Sequence, residues 1–291
     1  MFSQELSPTK MERRTRANFG DEVHLTVRNR RFSRESTPSR WWLNGDPFGS
    51  IFFTVHSASF PRGEAAFIDA VREFSDDLPP KLSGEVRSFM RQESNHSREH
   101  AIFNRLVENS GYDLRKIDEI MAEGIAKIKA EPTLVWLGTT MALEHYTAIA
   151  AHELLTNPIH MEGMAPRFAS IWRWHAIEEI EHKAVAFDVW LHVTRDWSAW
   201  KRWRFRSQVM IVATIRFVLM IWNSSKEMLD QDGLSGWKNK LRFLNYMFGK
   251  PGLYRRMIIP WLLYFKPGFH PWDVNDRHLI AEYEAAEANS K

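Results

Sequence analysis

Two short motifs carry the chemistry that this chain can offer. Glu93, Ser94, Asn95 and His96, and later Glu179, Ile180, Glu181 and His182, both read Glu-x-x-His. At 3.6 residues per helical turn, a separation of three sets carboxylate and imidazole on one face, a turn apart, so each motif presents two ligands to a common point. A single copy is ordinary on a solvated helix. Two copies become informative with a further glutamate in each of two other apolar segments, the pattern by which a four-helix bundle holds two metal ions. Glu64 lies among Ala65, Ala66, Phe67 and Ile68, and Glu144 among Met141, Ala142, Leu143 and Ala148. A lone carboxylate buried there is costly, and a metal ion is its natural compensation. The expected ligands are therefore Glu64, Glu93, His96, Glu144, Glu179 and His182, whose four negative charges balance two divalent ions. The chain has no cysteine, which excludes disulfides, thiolate-bound zinc, thiol nucleophiles and iron–sulfur clusters and leaves imidazole and carboxylate as donors. Such a set suits iron first and manganese second.

Other side chains compete for the same place. Glu178 is also within a turn of His182, and Glu181 is adjacent to it, so Glu179 is preferred only because it repeats the spacing. His100 follows His96 by four residues and His175 precedes Glu179 by four. If their helices run antiparallel, both histidines reach one level beneath the metal pair, as extra ligands, as partners of the ligands or as a proton relay. His152 lies off the Glu144 face, and His56 is expected in a loop leaning over a helix end.

The elements that must position these residues read as helices. A first is expected to open near Ser59 and Pro61 and to reach about Ser75, stopped by Pro79 and Pro80. The next are expected at about 81–108, 114–130, 133–155 and 166–194, separated by Gly111, Pro132, Asn157 and Pro158. The third, roughly 25 Å long at 1.5 Å per residue, carries the chain back along the bundle. The fold expected is all-α, a ferritin-like four-helix bundle with a crossover helix and additional C-terminal helices.

Composition sets the outer limits. With 291 residues, 44% hydrophobic and 26% charged, a substantial core is possible. The net charge of +3 argues for no nucleic-acid partner. Three regions are expected. Residues 1–40, with Arg13, Arg14, Arg16, Arg28, Arg30, Arg31, Arg34 and Arg40, form a flexible basic arm, and 41–195 the di-metal bundle. Residues 196–291 form a Trp- and Arg-rich helical extension that packs on the bundle or on a membrane. Trp197, Trp200 and Trp203 alternate with Lys201, Arg202, Arg204 and Arg206, and Arg255 and Arg256 precede Met257 to Phe265, a mixture that suits interfacial helices. No run reaches the roughly 20 apolar residues of a spanning helix, so the expected location is the cytoplasm, peripheral to the inner membrane face, with a homodimer as a further expectation.

The ligand order resembles the ferritin-like di-iron carboxylate superfamily. Within it, the stretch His56, Ser57, Ala58, Ser59, Phe60, Pro61, Arg62, Gly63, Glu64, with the later ligands, resembles bacterial proteins catalogued as predicted metal-dependent hydrolases, over roughly residues 40–265. The superfamily resemblance implies terminal or shifting roles for Glu64 and Glu179 and bridging roles for Glu93 and Glu144. Ribonucleotide reductase small subunits carry a radical tyrosine where this chain has His100, which argues against radical storage. The leading expectation is an oxidase or oxygenase that activates O2 at two iron ions, with an external electron donor, to oxidise an apolar or lipid-like substrate. The alternatives are a metal-dependent hydrolase using metal-activated water and a non-catalytic iron-oxidising or iron-binding protein.

Overall fold

The first helix starts earlier than its prolines suggest. The Asp46 carboxylate accepts from the backbone N–H groups of Phe48 and Gly49, each at 3.1 Å, satisfying donors that a helix start leaves open, and Pro47 takes the first helical position, where no donor is needed. Helix α1 then runs unbroken over Pro47–Arg72 with Pro61 inside it. A proline there removes the N–H that would bond the carbonyl of Ser57, four residues back. Asn104 supplies the replacement, its Nδ2 donating to the Ser57 carbonyl at 3.1 Å. His56 is consequently a helical residue. Its Nδ1 lies 2.7 Å from the Phe52 carbonyl and its Nε2 2.7 Å from the Tyr254 hydroxyl, which corrects the loop placement.

The computed structural model describes residues 25–32 and 36–289. After α1 come α2 (Pro80–Asn109), α3 (Arg115–Lys129), α4 (Thr133–Thr156), α5 (Pro166–His182), α6 (Val185–Val193), α7 (Ala199–Gln231), α8 (Trp237–Phe248), α9 (Leu253–Leu263) and α10 (Arg277–Asn289). The described residues form no strand, only an isolated bridge between Leu43 and Met164, so the protein is all-α. Helices α1, α2, α5 and α4 pack in a ring, each against the next, with α3 carrying the chain from α2 to α4. Where one long helix was expected over 166–194, the structure breaks it at Lys183 and Ala184 into α5 and α6. The core on the Trp42 side is aromatic: Trp42 meets Phe53, Phe103 and Phe168 edge-on with centroids 5.2–6.2 Å apart, contacts worth about 0.5–1.5 kcal/mol each beyond their burial. Helix α7 lies along α4, and Gly138 permits the approach, since a Cβ there would stand 2.9 Å from the Phe205 ring.

The described part of the N-terminal arm is docked. In residues 25–32, Thr26, Arg28 and Phe32 give their backbone N–H groups to Glu181, Glu178 and Glu99 at 3.1, 2.9 and 3.2 Å. The Arg28 guanidinium pairs with Glu181 at 2.7 Å and with Glu284 of α10 at 3.0 Å, Arg30 pairs with Glu287, and Arg40 pairs with Asp232 at 2.6 Å. The expectation of a flexible arm fails for this stretch because buried carboxylates on α2 and α5 need its donors. Arg13, Arg14, Arg16 and Arg34 lie outside the described residues.

Candidate metal centre

Glu64, Glu93, His96, Glu144, Glu179 and His182 are all buried, and they meet between α1, α2, α4 and α5. His182 Nε2 lies 3.0 Å from Glu93 Oε1, 3.3 Å from Glu144 Oε2 and 3.5 Å from Glu179 Oε1. His96 Nδ1 lies 3.6 Å from Glu179 Oε1 and 3.8 Å from Glu93 Oε2. Two triads, Glu93 with Glu144 and His182, and Glu93 with His96 and Glu179, each bring their ligand atoms within 4.8 Å of one another, and Glu93 belongs to both. A third overlaps them: Glu64, His96 and His175.

The residues fit metal ions on a specific observation. Glu64 Oε1, both oxygens of Glu93 and of Glu144, Glu179 Oε2, His96 Nδ1 and His182 Nε2 are buried without a hydrogen-bond partner. Native interiors seldom leave such atoms orphaned, and here they converge. Their charges are also in conflict. Burial, and then the neighbouring glutamates, push Glu64 well above the usual carboxylate range, and burial does the same to Glu144. Burial would push Glu179 up too, but His182 and His175 hold it well below. Divalent cations relieve this crowding.

The imidazoles are aimed from behind. His96 turns Nε2 to Glu178 Oε2 at 2.9 Å, leaving Nδ1 for the centre. Glu178 also accepts from Trp174 Nε1 at 3.2 Å and from the Arg28 N–H. Glu178, the competitor of Glu179 in the sequence, therefore orients His96 and does not join the converging atoms. His182 turns Nδ1 to Gln92 Oε1 at 3.1 Å, while Gln92 Nε2 donates to Glu181 Oε2 at 2.8 Å. Such outer partners fix ring orientation and tautomer at metal sites.

His175 and His100 are ordered by the proline in α1. Because Asn104 Nδ2 serves the Ser57 carbonyl, its Oδ1 is left to accept the Ser57 hydroxyl at 2.7 Å. Ser57 Oγ lies 2.9 Å from His100 Nδ1, and His100 Nε2 lies 2.7 Å from His175 Nδ1. His175 Nε2 lies within hydrogen-bond distance of Glu179 Oε1, at 2.8 Å, and 3.6 Å from Glu64 Oε1. Burial, and then the neighbouring histidines, lower both pKa values, in keeping with neutral rings. His100 itself stays behind His175. His152, away from the centre, pairs with Asp276 at 3.0 Å.

One edge of the centre faces an apolar cavity of about 130 Å³. Phe52, Phe60, Phe67, Trp172, Leu253 and Met257 help to wall it, and Glu64, His175 and Glu179 lie at one side. Sequence reasoning missed Gln92, Ser57, Asn104, Ser97 (which donates to Glu64 Oε2 at 2.9 Å) and the docking of Arg28. Only Pro61 inside an otherwise helical stretch gave a signal, since it demands a surrogate donor for Ser57.

An all-α chain with four glutamates and three histidines converging in its interior defines a metal-dependent protein of the carboxylate–imidazole type. The sequence matches the family described as predicted metal-dependent hydrolases over residues 26–275; the chain belongs to that family. No curated protein and no solved structure matches it. The family overturns the expectation of an O2-activating oxidase. Carboxylate and imidazole donors serve redox and Lewis-acid ions alike, so donor types could not choose between the two, and hydrolysis takes the place of oxidation.

Proposed function

We propose that the protein is a hydrolase that holds two divalent ions, iron or manganese, with Glu64, Glu93, His96, Glu144, Glu179 and His182 as their ligands, Glu93 shared between them. The observation that carries this reading is the set of buried, unpartnered carboxylate and imidazole atoms facing one point. Ions bound there supply Lewis acidity, which acidifies water and polarises a carbonyl or phosphoryl group. The chain does the rest. Glu178 and Gln92 hold His96 and His182 in register, and the apolar walls keep bulk water from the reacting groups. His175 Nε2, beside both Glu64 and the cavity, accepts a proton from the attacking water and returns it to the leaving group, its ring held by His100, Ser57 and Asn104.

The test is hydrolysis of a panel of nitrophenyl esters, anilides and phosphoesters. Activity should require metal, disappear with chelator and return on reloading, and fall about 100-fold or more in Glu144→Ala and His182→Ala. His175→Ala should retain both metals and lose turnover. A protein with two bound ions that cleaves nothing in the panel would sink the reading.

A peripheral membrane seat is part of the proposal. Helix α7 contains a window of mean hydropathy 1.5 that is only 28% buried, and by length and composition it is apolar enough to cross a membrane, whereas the sequence alone showed no run of that length. Ile211, Ile215 and Leu219 are exposed on it, with Ile259, Leu262 and Leu263 on α9, and Trp261 of α9 donates to Thr214 of α7 at 3.1 Å. Trp200, Lys201, Arg202 and Arg204 at one end of α7 and Arg255 and Arg256 on α9 supply headgroup chemistry.

A further inference from the structure

The cavity beside the metal centre has a neighbour. A second, outer compartment of about 460 Å³ lies between α1, α3, α4 and α7. Gly63, Phe67, Met121, Leu143, Phe217 and Met220 line both spaces, so the two share a wall of one backbone and five apolar side chains. The outer compartment reaches Val212 and Leu219 of α7, 46% and 55% exposed. A path of apolar contacts thus runs from the exposed face of α7 to Glu64, His175 and Glu179. Two residues on it weaken the helices that carry them: glycine is less favourable than alanine within a helix, yet Gly63 sits inside α1 and Gly124 inside α3. Neither is required for close packing. A Cβ at Gly63 would meet only the Met121 methyl at 3.9 Å, and at Gly124 nothing within 4 Å. Their effect is to leave the space beside them open.

Resting on the hydrolase reading, we infer that the two compartments form one channel for an unbranched aliphatic chain, and that the substrate is a carboxylic ester of such a chain. Its carbonyl lies at the edge formed by Glu64, His175 and Glu179, and its tail runs past Gly63 toward α7. The hydrophobic effect supplies the selection: each methylene taken from water against the apolar inner cavity and the shared wall is favourable, while polar groups such as Thr139, Thr140, Arg216 and Asn223 line only the outer compartment. In the reaction, water oxygen bonds to the acyl carbon and the bond from that carbon to the ester oxygen breaks. The proton taken from water goes to the departing alkoxide, leaving a fatty acid and an alcohol.

Gly63→Phe fills the junction where the structure has room and where a side chain improves the helix, so the variant keeps the fold. Two measurements on metal-loaded protein decide the matter. Calorimetric titration with dodecanoate, a product-like probe, should show binding to the wild type at least roughly tenfold tighter than to Gly63→Phe, with acetate distinguishing the two proteins far less. In nitrophenyl ester hydrolysis, the ratio of kcat/KM for decanoate to that for acetate should exceed unity in the wild type and fall at least roughly tenfold in the variant. Equal dodecanoate binding by the two proteins, or an unchanged chain-length profile, overturns the channel. Differential dodecanoate binding without hydrolysis of any ester keeps the channel and overturns the ester assignment; the hydrolase reading falls with it only when the anilides and phosphoesters also go uncleaved.

Discussion

Donor counting at a few side chains decides which ring nitrogen faces the centre, and it also fixes what metal uptake must do to protons. Burial would lower the pKa of His96, but Glu178 and Glu93 hold it up to about 10, and the surrounding glutamates hold His182 well above its ordinary value. Both rings therefore hold a proton more tightly than a free imidazole does, and an ion needs their lone pairs. Metal uptake should expel protons, read by calorimetry as an enthalpy that varies with the ionisation enthalpy of the buffer, and affinity should weaken as the pH falls. Uptake without proton release would contradict the ligand assignment, as would retention of both ions in His96→Ala and in His182→Ala. The six acids and imidazoles were legible in the sequence because their spacing is a property of one helix at a time. The orientation of His175 was not, since it depends on a proline in α1 and an amide in α2 that meet only in the folded chain.

At the scale of elements, the break after α5 has a partner far along the chain. Lys183, the residue after His182, is buried and donates to the Asp276 carboxylate and to the Val274 carbonyl, each at 2.8 Å, and Asp276 also accepts from His152. This ties the α5 end to the segment that leads into α10. Removing one partner of a buried pair leaves the other charge uncompensated, so Asp276→Asn should lower stability by about 3 kcal/mol in urea unfolding. The sign with pH follows: burial would raise the Asp276 pKa, but His152 and Lys183 outweigh it and hold the carboxyl below its ordinary value. Its stabilisation is present above the unfolded value of about 3.9 and is lost as the pH falls through the lower folded one. The gap between wild type and variant should be full at pH 6 and shrink below pH 4; a gap that does not move with pH would remove the carboxylate from the account. Periodicity predicted the ranges of α2, α3 and α4 closely, because proline and glycine mark their ends. It failed at the start of α1, where Asp46 caps and Pro61 does not break, and at Lys183, where the break lies beside a tertiary contact.

For the whole molecule, the seat on a lipid surface should show as co-sedimentation with anionic vesicles that weakens with salt, since the basic residues act through screened attraction. The Arg202→Glu, Arg204→Glu double variant should bind less, and no binding at low salt would return the α7 face to protein packing. A different consequence follows from the orphaned atoms at the centre. Four glutamates packed around one point set the native state against its own charges, so whatever ion neutralises them favours the folded chain over the unfolded one. At a free concentration of 100 times its dissociation constant, such an ion stabilises by about 2.7 kcal/mol, a large share of a typical folding free energy. The melting temperature therefore reports metal supply, and a cell starved of the ion would lose the enzyme to its proteases without any separate regulator.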